Sequence, residues 1–189
     1  MTLFTILLCI LNLQFVFPSV LRTWGYTFIS LDIEYKKTDW LFADIKLVKI
    51  KKGDYAINGT FIFKKDITMD FLYSLKLFRS PRGNDDYKPL PFSVPQQNLE
   101  TFFNGVYKDV VMEDLHKCTN LPYFQDRWNE PLKAQEYYLN MCQFNVDNWP
   151  DYLPNGFYKF DTKIYFPSGD VFVSAIATEE IEQTGLIGK

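Results

Sequence analysis

The chain has 189 residues, of which 47% are hydrophobic and 18% aromatic, and its formal net charge at pH 7 is −3. This length is sufficient for one domain with a hydrophobic core. The mildly acidic charge gives no electrostatic basis for binding nucleic acid or anionic lipid surfaces, so we expect no nucleic-acid partner.

The N-terminus has the pattern of a secretory signal peptide. Residues 3–17 are mostly apolar and uncharged, and Pro18 and Ser19 follow them. The apolar run is shorter than the roughly 20 residues that a transmembrane helix needs. We therefore expect a signal peptide over residues 1–19 and one domain over residues 20–189, in a secreted, extracellular protein that does not span a membrane when mature. An uncleaved N-terminal anchor is the alternative.

Alternating apolar and polar residues predict four strands in the first half of the chain. Because successive side chains point to opposite faces of a strand, this period of two indicates strands with one buried face. The pattern covers residues 27–36, 41–50, 55–63 and 67–78. The last three segments are joined by short polar turns, and we expect the four strands to form an antiparallel meander. A phase shift near Val48 predicts a bulge or the end of the second strand.

The third predicted strand carries an N-glycosylation sequon, Asn58-Gly59-Thr60. Asn58 and Thr60 fall on the more polar face of that strand. A glycan on Asn58 could therefore leave the sheet without crossing the core, and we expect a glycoprotein.

A loop and a helix are predicted next. Residues 79–95 contain four prolines and lack periodicity, which indicates a long loop. Residues 98–118 then change to a helical period, with Asn98 as the expected N-cap. The predicted apolar stripe consists of Leu99, Phe102, Phe103, Val106 and Val110, with Tyr107, Val111 and Leu115 beside it.

Two cysteines remain if Cys9 is removed with the signal peptide. An even number of cysteines in an oxidising compartment indicates a disulfide, here between Cys118 and Cys142. Two free buried thiols are the alternative.

Three further strands are predicted in the C-terminal part, over residues 135–144, 157–166 and 171–181. About seven strands with apolar faces and one helical insertion predict a mostly β protein. We expect an immunoglobulin-like β-sandwich of two sheets.

The sequence offers little to catalysis. His116 is the single histidine, and neither a nucleophile-elbow motif nor a phosphate-binding glycine motif is present. We expect no enzyme, no cofactor and no metal site. The 18 Phe, 12 Tyr and 4 Trp fit either a filled aromatic core or sheets that hold an apolar cavity between them.

Several spacings of cysteine, proline, glycine and aromatic residues resemble a known family. The segments that carry the resemblance are Arg79–Phe92, Cys118–Pro122, Tyr138–Cys142, Leu153–Lys159 and Pro167–Asp170. They look like the insect CheA/CheB chemosensory proteins, and the CheA branch more closely. These are small secreted proteins related to the ganglioside activator and to the ML lipid-recognition superfamily.

The resemblance implies an ML-like sandwich with an apolar ligand between its sheets. It also implies expression in chemosensory, often gustatory, sensilla and a part in the pheromone response. One feature departs from the pattern, since many ML proteins have several disulfides and this chain can form one.

The leading hypothesis is a secreted, lipid-binding protein. Its ligand would be a hydrophobic small molecule, such as a lipid, a cuticular hydrocarbon or a pheromone. The alternative is an extracellular protein-interaction module with a filled core that docks on a chemoreceptor or channel. For the first hypothesis, we expect Phe102 and Phe103 at the mouth of the pocket. The expected lining consists of Phe71, Tyr73, Leu75, Phe160 and Ile164.

Overall fold

The computed structural model describes residues 24–35, 39–146 and 149–183. The predicted signal peptide lies outside these residues.

Nine strands of the described residues form two antiparallel sheets, which confirms the predicted mostly β sandwich. The large sheet has the order β1-β9-β8-β4-β5, with β6 also paired to β4, and the small sheet has the order β2-β3-β7. The strands are β1 (Trp24–Tyr35), β2 (Leu41–Lys51), β3 (Asp54–Phe63), β4 (Leu72–Ser80), β5 (Lys88–Pro89), β6 (Val94–Asn98), β7 (Glu136–Cys142), β8 (Gly156–Tyr165) and β9 (Val171–Gln183). Two strands, β5 and β6, lie at least partly in the predicted proline-rich loop and are too short to show a period.

The predicted meander of the first four strands is wrong. Of these four strands, β2 and β3 are the two that pair with each other, whereas β1 pairs with β9 and β4 pairs with β8. The chain changes sheets after β1 and again after β3. The predicted irregularity in β2 is present as a register shift between Lys49 and Lys51.

The fourth strand begins later than its alternation suggests, at Leu72 rather than at Ile67. Ile67 instead forms an isolated bridge with Leu132. A turn follows, in which the backbone N–H of Phe71 donates to the carbonyl of Thr68 at 3.2 Å. The apolar residues just before Leu72 therefore pack into the core although they do not belong to a strand.

Helix α1 spans residues 99–116 and begins where the sequence predicts it. Asn98 caps it, since its Oδ1 accepts from the N–H of Thr101 at 2.8 Å. The helix has α-helical ends (Leu99–Phe102 and Met112–His116) and a central π-helical part (Phe103–Val111).

The π-helical part changes which side chains face the core. Hydrogen bonds there reach back five residues, as from the N–H of Met112 to the carbonyl of Tyr107. The wider turn aligns residues spaced by more than the 3.6 of an α-helix. As a result, Tyr107 and Val111 pack in the main core in place of the predicted Val106 and Val110.

Helix α1 is attached to both sheets. At its start, the N–H of Leu99 donates to the carbonyl of Phe71, just before β4 of the large sheet, at 2.8 Å. Beyond its end, the N–H of Asn140 in β7 donates to the carbonyl of Cys118 at 2.8 Å. Cys118 forms the predicted disulfide with Cys142, the last residue of β7, with the Cα atoms 5.4 Å apart. The helix therefore bridges the two sheets along one side of the sandwich.

The disulfide is expected to be a major stabilising element. Replacing both Cys118 and Cys142 by alanine should lower the free energy of unfolding by about 3 kcal/mol, because the bond restricts the unfolded chain. Urea denaturation of the wild type and the double variant measures the difference. Reduced wild-type protein is the control and should match the variant. A decrease below about 1 kcal/mol would contradict the assigned role.

Candidate functional site: an apolar cavity between the sheets

A cavity of about 300 Å³ lies between the two sheets and helix α1. The surface that lines it is entirely apolar. Its volume falls at the lower end of the range of small-molecule sites, about 300–1,000 Å³. The lining residues are Ile33, Leu41, Ala43, Ile45, Phe61, Phe63, Ile67, Tyr73, Leu99, Phe102, Phe103, Tyr107, Val111, Leu115, Leu121, Leu132, Ile164, Val173 and Ala175.

Each wall of the cavity comes from a different part of the fold. The inward faces of β2 and β3 form the small-sheet wall, and those of β1, β4, β8 and β9 form the large-sheet wall. Helix α1 supplies the third wall with six side chains. Fully buried aromatic rings, such as Phe63, Phe103 and Tyr107, form part of its inner surface.

The two tyrosines of the lining do not make the cavity polar, because their hydroxyls already have partners. The hydroxyl of Tyr107 donates to the carbonyl of Pro122 at 2.7 Å. The hydroxyl of Tyr73 is hydrogen-bonded with the side chain of Thr162, and burial raises the pKa of Tyr73 to about 12. Both tyrosines present ring surface to the cavity. The walls therefore offer dispersion contacts and no unsatisfied hydrogen-bonding group.

Four of the seven residues predicted to form a pocket meet at this cavity. Tyr73 and Ile164 face it from adjacent positions of β4 and β8. Phe102 and Phe103 face it from the helix, but as part of its wall instead of at a mouth, since Phe103 is only 3% exposed. Phe102 stacks on Tyr73 with the ring centroids 3.8 Å apart.

The other three predicted residues lie elsewhere. Phe71, in the turn before β4, packs in an aromatic cluster with Phe166, at 5.4 Å between ring centroids. Leu75 packs against the core beside a register shift between β4 and β6 and does not reach the cavity. Phe160 is further along β8, and its ring contacts Trp149 at 5.9 Å. Sharing a face with the cavity residues was not sufficient, because the cavity covers only part of that face.

Sequence reasoning missed the contribution of the small sheet. Leu41, Ala43 and Ile45 alternate along β2, and Phe61 and Phe63 do so along β3. Their period of two correctly placed each set on one face. The sequence did not show that these faces lie opposite the large sheet across the cavity. That arrangement depends on strand pairings between distant parts of the chain.

One carboxyl group is buried on the inner face of the large sheet. Glu179 is 6% exposed and is the only ionisable residue among the buried polar side chains of the described residues. It lies between Phe28 of β1 and Tyr158 of β8 in the strand register. Burial raises the pKa of Glu179 to about 8, so the carboxyl is mainly protonated at neutral pH.

Asn58 lies on the outer face of the small sheet, as predicted from its strand pattern. Its residue partner across the hairpin is Lys46, and its Oδ1 accepts from the N–H of Met141 at 3.2 Å. Gly59, inside the sequon, has a φ of +145°, and a Cβ there would approach the carbonyl oxygen of Asp44 to 2.0 Å. Glycine is thus required by the local backbone at this position.

The single histidine of the chain lies at the surface. His116 is exposed at the end of helix α1 and stacks on Tyr123, with ring centroids 4.1 Å apart. Groups of three or more metal-ligating side chains do not occur in the described part of the chain. Among the helices of that part, none is long and apolar enough to cross a membrane.

Residues 73–160 match the model of a family described as proteins of unknown function (DUF1091). The matched segment begins at the second residue of β4, includes helix α1 and the disulfide, and ends in the middle of β8. It therefore contains the helix that forms one wall of the cavity. No curated protein matches the chain at a significant level.

Glu179 should make the stability of the protein depend on pH. The folded state keeps its proton up to a pH of about 8, whereas the unfolded chain releases it near the ordinary value of 4.5. The contribution of this group to stability is therefore largest below pH 4.5 and decreases as the pH rises towards 8.

Glu179→Gln should remove this dependence of the unfolding free energy on pH. The stability of the variant relative to the wild type should increase by a few kcal/mol between pH 5 and pH 8, as each pKa unit corresponds to 1.36 kcal/mol. Urea denaturation at both pH values measures it, with Glu180→Gln, on the opposite face of β9, as the matched control. Equal pH profiles for all three proteins would show that Glu179 is not buried as described.

Proposed function

We propose that this protein binds a hydrophobic small molecule in the cavity between its sheets, as a secreted carrier or presenter in chemosensory, gustatory pheromone detection. The observation that carries the binding part of the proposal is the cavity itself, with about 300 Å³ of space and a fully apolar lining. Interiors of proteins are normally packed as densely as organic crystals, so an unfilled space of this size calls for an occupant.

The energetics favour an aliphatic ligand. Each methylene group that leaves water for an apolar environment contributes about 0.8 kcal/mol. A water molecule occupies about 30 Å³ in the liquid, so the cavity has room for on the order of ten non-hydrogen atoms. Water itself would find few hydrogen-bond partners there, since the tyrosine hydroxyls of the walls are already paired. The cavity therefore suits an alkyl chain of a lipid, a cuticular hydrocarbon or a pheromone.

The chemosensory part of the proposal rests on the resemblance to the CheA/CheB proteins. The segments that carry it include the helix end at Cys118–Pro122 and the end of β7 at Tyr138–Cys142. In this fold the disulfide joins those two segments beside the cavity. The resemblance thus concerns the elements that hold the helical wall in place.

The alternative, an interaction module with a filled core, is less favoured because the core contains this cavity. The outer face of the small sheet does expose Phe42 and Tyr138, at 47% and 46%. Single exposed apolar residues are common on protein surfaces. Docking on a receptor could accompany ligand binding, but the cavity would have no purpose in a module that only docks.

The proposed secretion has a direct test. Protein expressed with its N-terminal segment in insect cells should appear in the medium, and glycosidase treatment should lower its mass. Asn58→Gln should abolish that mass shift. A wild-type protein that is retained inside the cell without a glycan would contradict secretion.

Filling the cavity should abolish ligand binding. The double variant Ala43→Leu and Ala175→Leu adds six carbon atoms to opposite walls and should weaken displacement of a fluorescent apolar probe at least tenfold. Stability should not fall in parallel, since the added carbons occupy existing space. The control is Ala134→Leu at an exposed position outside the lining. Unchanged probe binding in a folded double variant would overturn the proposed site.

A further inference from the structure

The inner face of β9 continues past the cavity as a row of small residues. Val173 and Ala175 line the cavity, and Ala177 and Glu179 follow at alternate positions on the same face. Ala177 is only half-buried, although its strand lies between β1 and β8 and its neighbours in the register are Leu31 and Phe160. Ala177 is therefore not fully covered by the side chains around it, and along β9 it lies between the last residue of the cavity lining and Glu179.

The Glu179 carboxyl at the end of this row lacks a partner. It makes no hydrogen bond or ion pair to any residue of the described chain, and burial alone perturbs its titration. Protein interiors rarely contain such a group, because desolvation of a polar group without a compensating hydrogen bond costs free energy.

The polar side chains near Glu179 in the strand register make their hydrogen bonds to other residues. The hydroxyl of Tyr26 donates to the carbonyl of Phe144 at 3.0 Å and accepts from the N–H of the same residue at 2.7 Å. The hydroxyl of Tyr158 donates to the carbonyl of Pro154 at 2.8 Å. Arg79 lies one strand beyond Tyr158 and donates from Nη2 to the carbonyl of Asn155 at 2.6 Å, whereas its Nε is buried without a hydrogen-bond partner among the described residues. None of these groups is hydrogen-bonded to Glu179, so its carboxyl is available to a group from outside the chain.

We propose that the ligand is a long-chain alcohol, with its alkyl chain in the cavity and its hydroxyl group hydrogen-bonded to the carboxyl of Glu179. This inference rests on the proposed function and specifies its ligand. Ala175 and Glu179 are four residues apart, which corresponds to about 13 Å along a strand. An extended alkyl chain passing over Ala175 and Ala177 spans that distance.

An uncharged head group fits this site better than a charged one. A protonated carboxyl group can both donate to and accept from a hydroxyl, so neither partner has to carry a charge in the interior. A primary amine would have to enter as a buried ion pair or lose its proton, and a fatty acid would bring a second carboxylate beside the first. Both alternatives carry a large desolvation cost.

The test compares two probes of equal chain length, n-dodecanol and n-dodecane, by displacement of N-phenyl-1-naphthylamine at pH 7. The measured quantity is the apparent affinity for n-dodecanol divided by that for n-dodecane. Because each probe's solubility is the same for every protein, comparing this ratio between variants removes its effect. One hydrogen bond to a buried group corresponds to roughly a tenfold change. Glu179→Met should lower the ratio by about that factor, and Glu180→Met, on the opposite face, should leave it at the wild-type value.

A second variant keeps the proposal testable if Glu179→Met does not fold. Ala177→Leu should obstruct the proposed path of the alkyl chain over position 177 and lower the same ratio while the carboxyl remains in place. An unchanged ratio in every folded variant at positions 177 and 179 would overturn the inference. A preference of the wild type for n-dodecylamine over n-dodecanol would also overturn it. If either of these results is obtained but n-dodecane still binds, the proposed function stands without the alcohol preference. If the wild type binds none of the three probes, both the proposed function and this inference are contradicted.

Discussion

The attachment of helix α1 to both sheets is the constraint on which the rest of the structure depends. Its first residue is hydrogen-bonded to the segment before β4 in the large sheet, and the chain just beyond its end is bonded to β7 of the small sheet. A helix with its side chains has a diameter of about 10–12 Å. Held in this way, it works as a spacer that keeps one side of the sandwich open, and its own aromatic residues become the third wall.

The chemistry of the interior follows from this spacing. Facing sheets that pack directly interdigitate their side chains at a separation of about 10 Å and leave no room for a guest. Here the lining includes large aromatic residues, such as Phe102 stacked on Tyr73. It also includes two small residues, Ala43 from the small sheet and Ala175 from the large sheet. The large side chains stabilise the walls by packing, and the small ones leave the cavity unfilled.

The sequence predicted local features well and long-range ones poorly. Alternation identified most of the strands and the inward faces of β2 and β3, and Asn98 marked the start of the helix. The pairing of β1 with β9 joins residues about 150 positions apart and leaves no local signal. The inward turn of Tyr107 depends on π-helical geometry, which a 3.6-residue period cannot reveal. Glu179 sits in an adjacent carboxylate pair, Glu179-Glu180, that is ordinarily a solvated surface, and only the sheet register shows that one member is buried.

Xenon binding tests most directly whether the sheets enclose accessible apolar space. Engineered dry cavities of about 150 Å³ bind xenon, and this cavity is about twice that volume. A crystal of the mature protein under xenon pressure should show xenon among Phe103, Tyr107 and Ile164. A crystal without xenon there, in which these side chains fill the space between the sheets, would contradict the account.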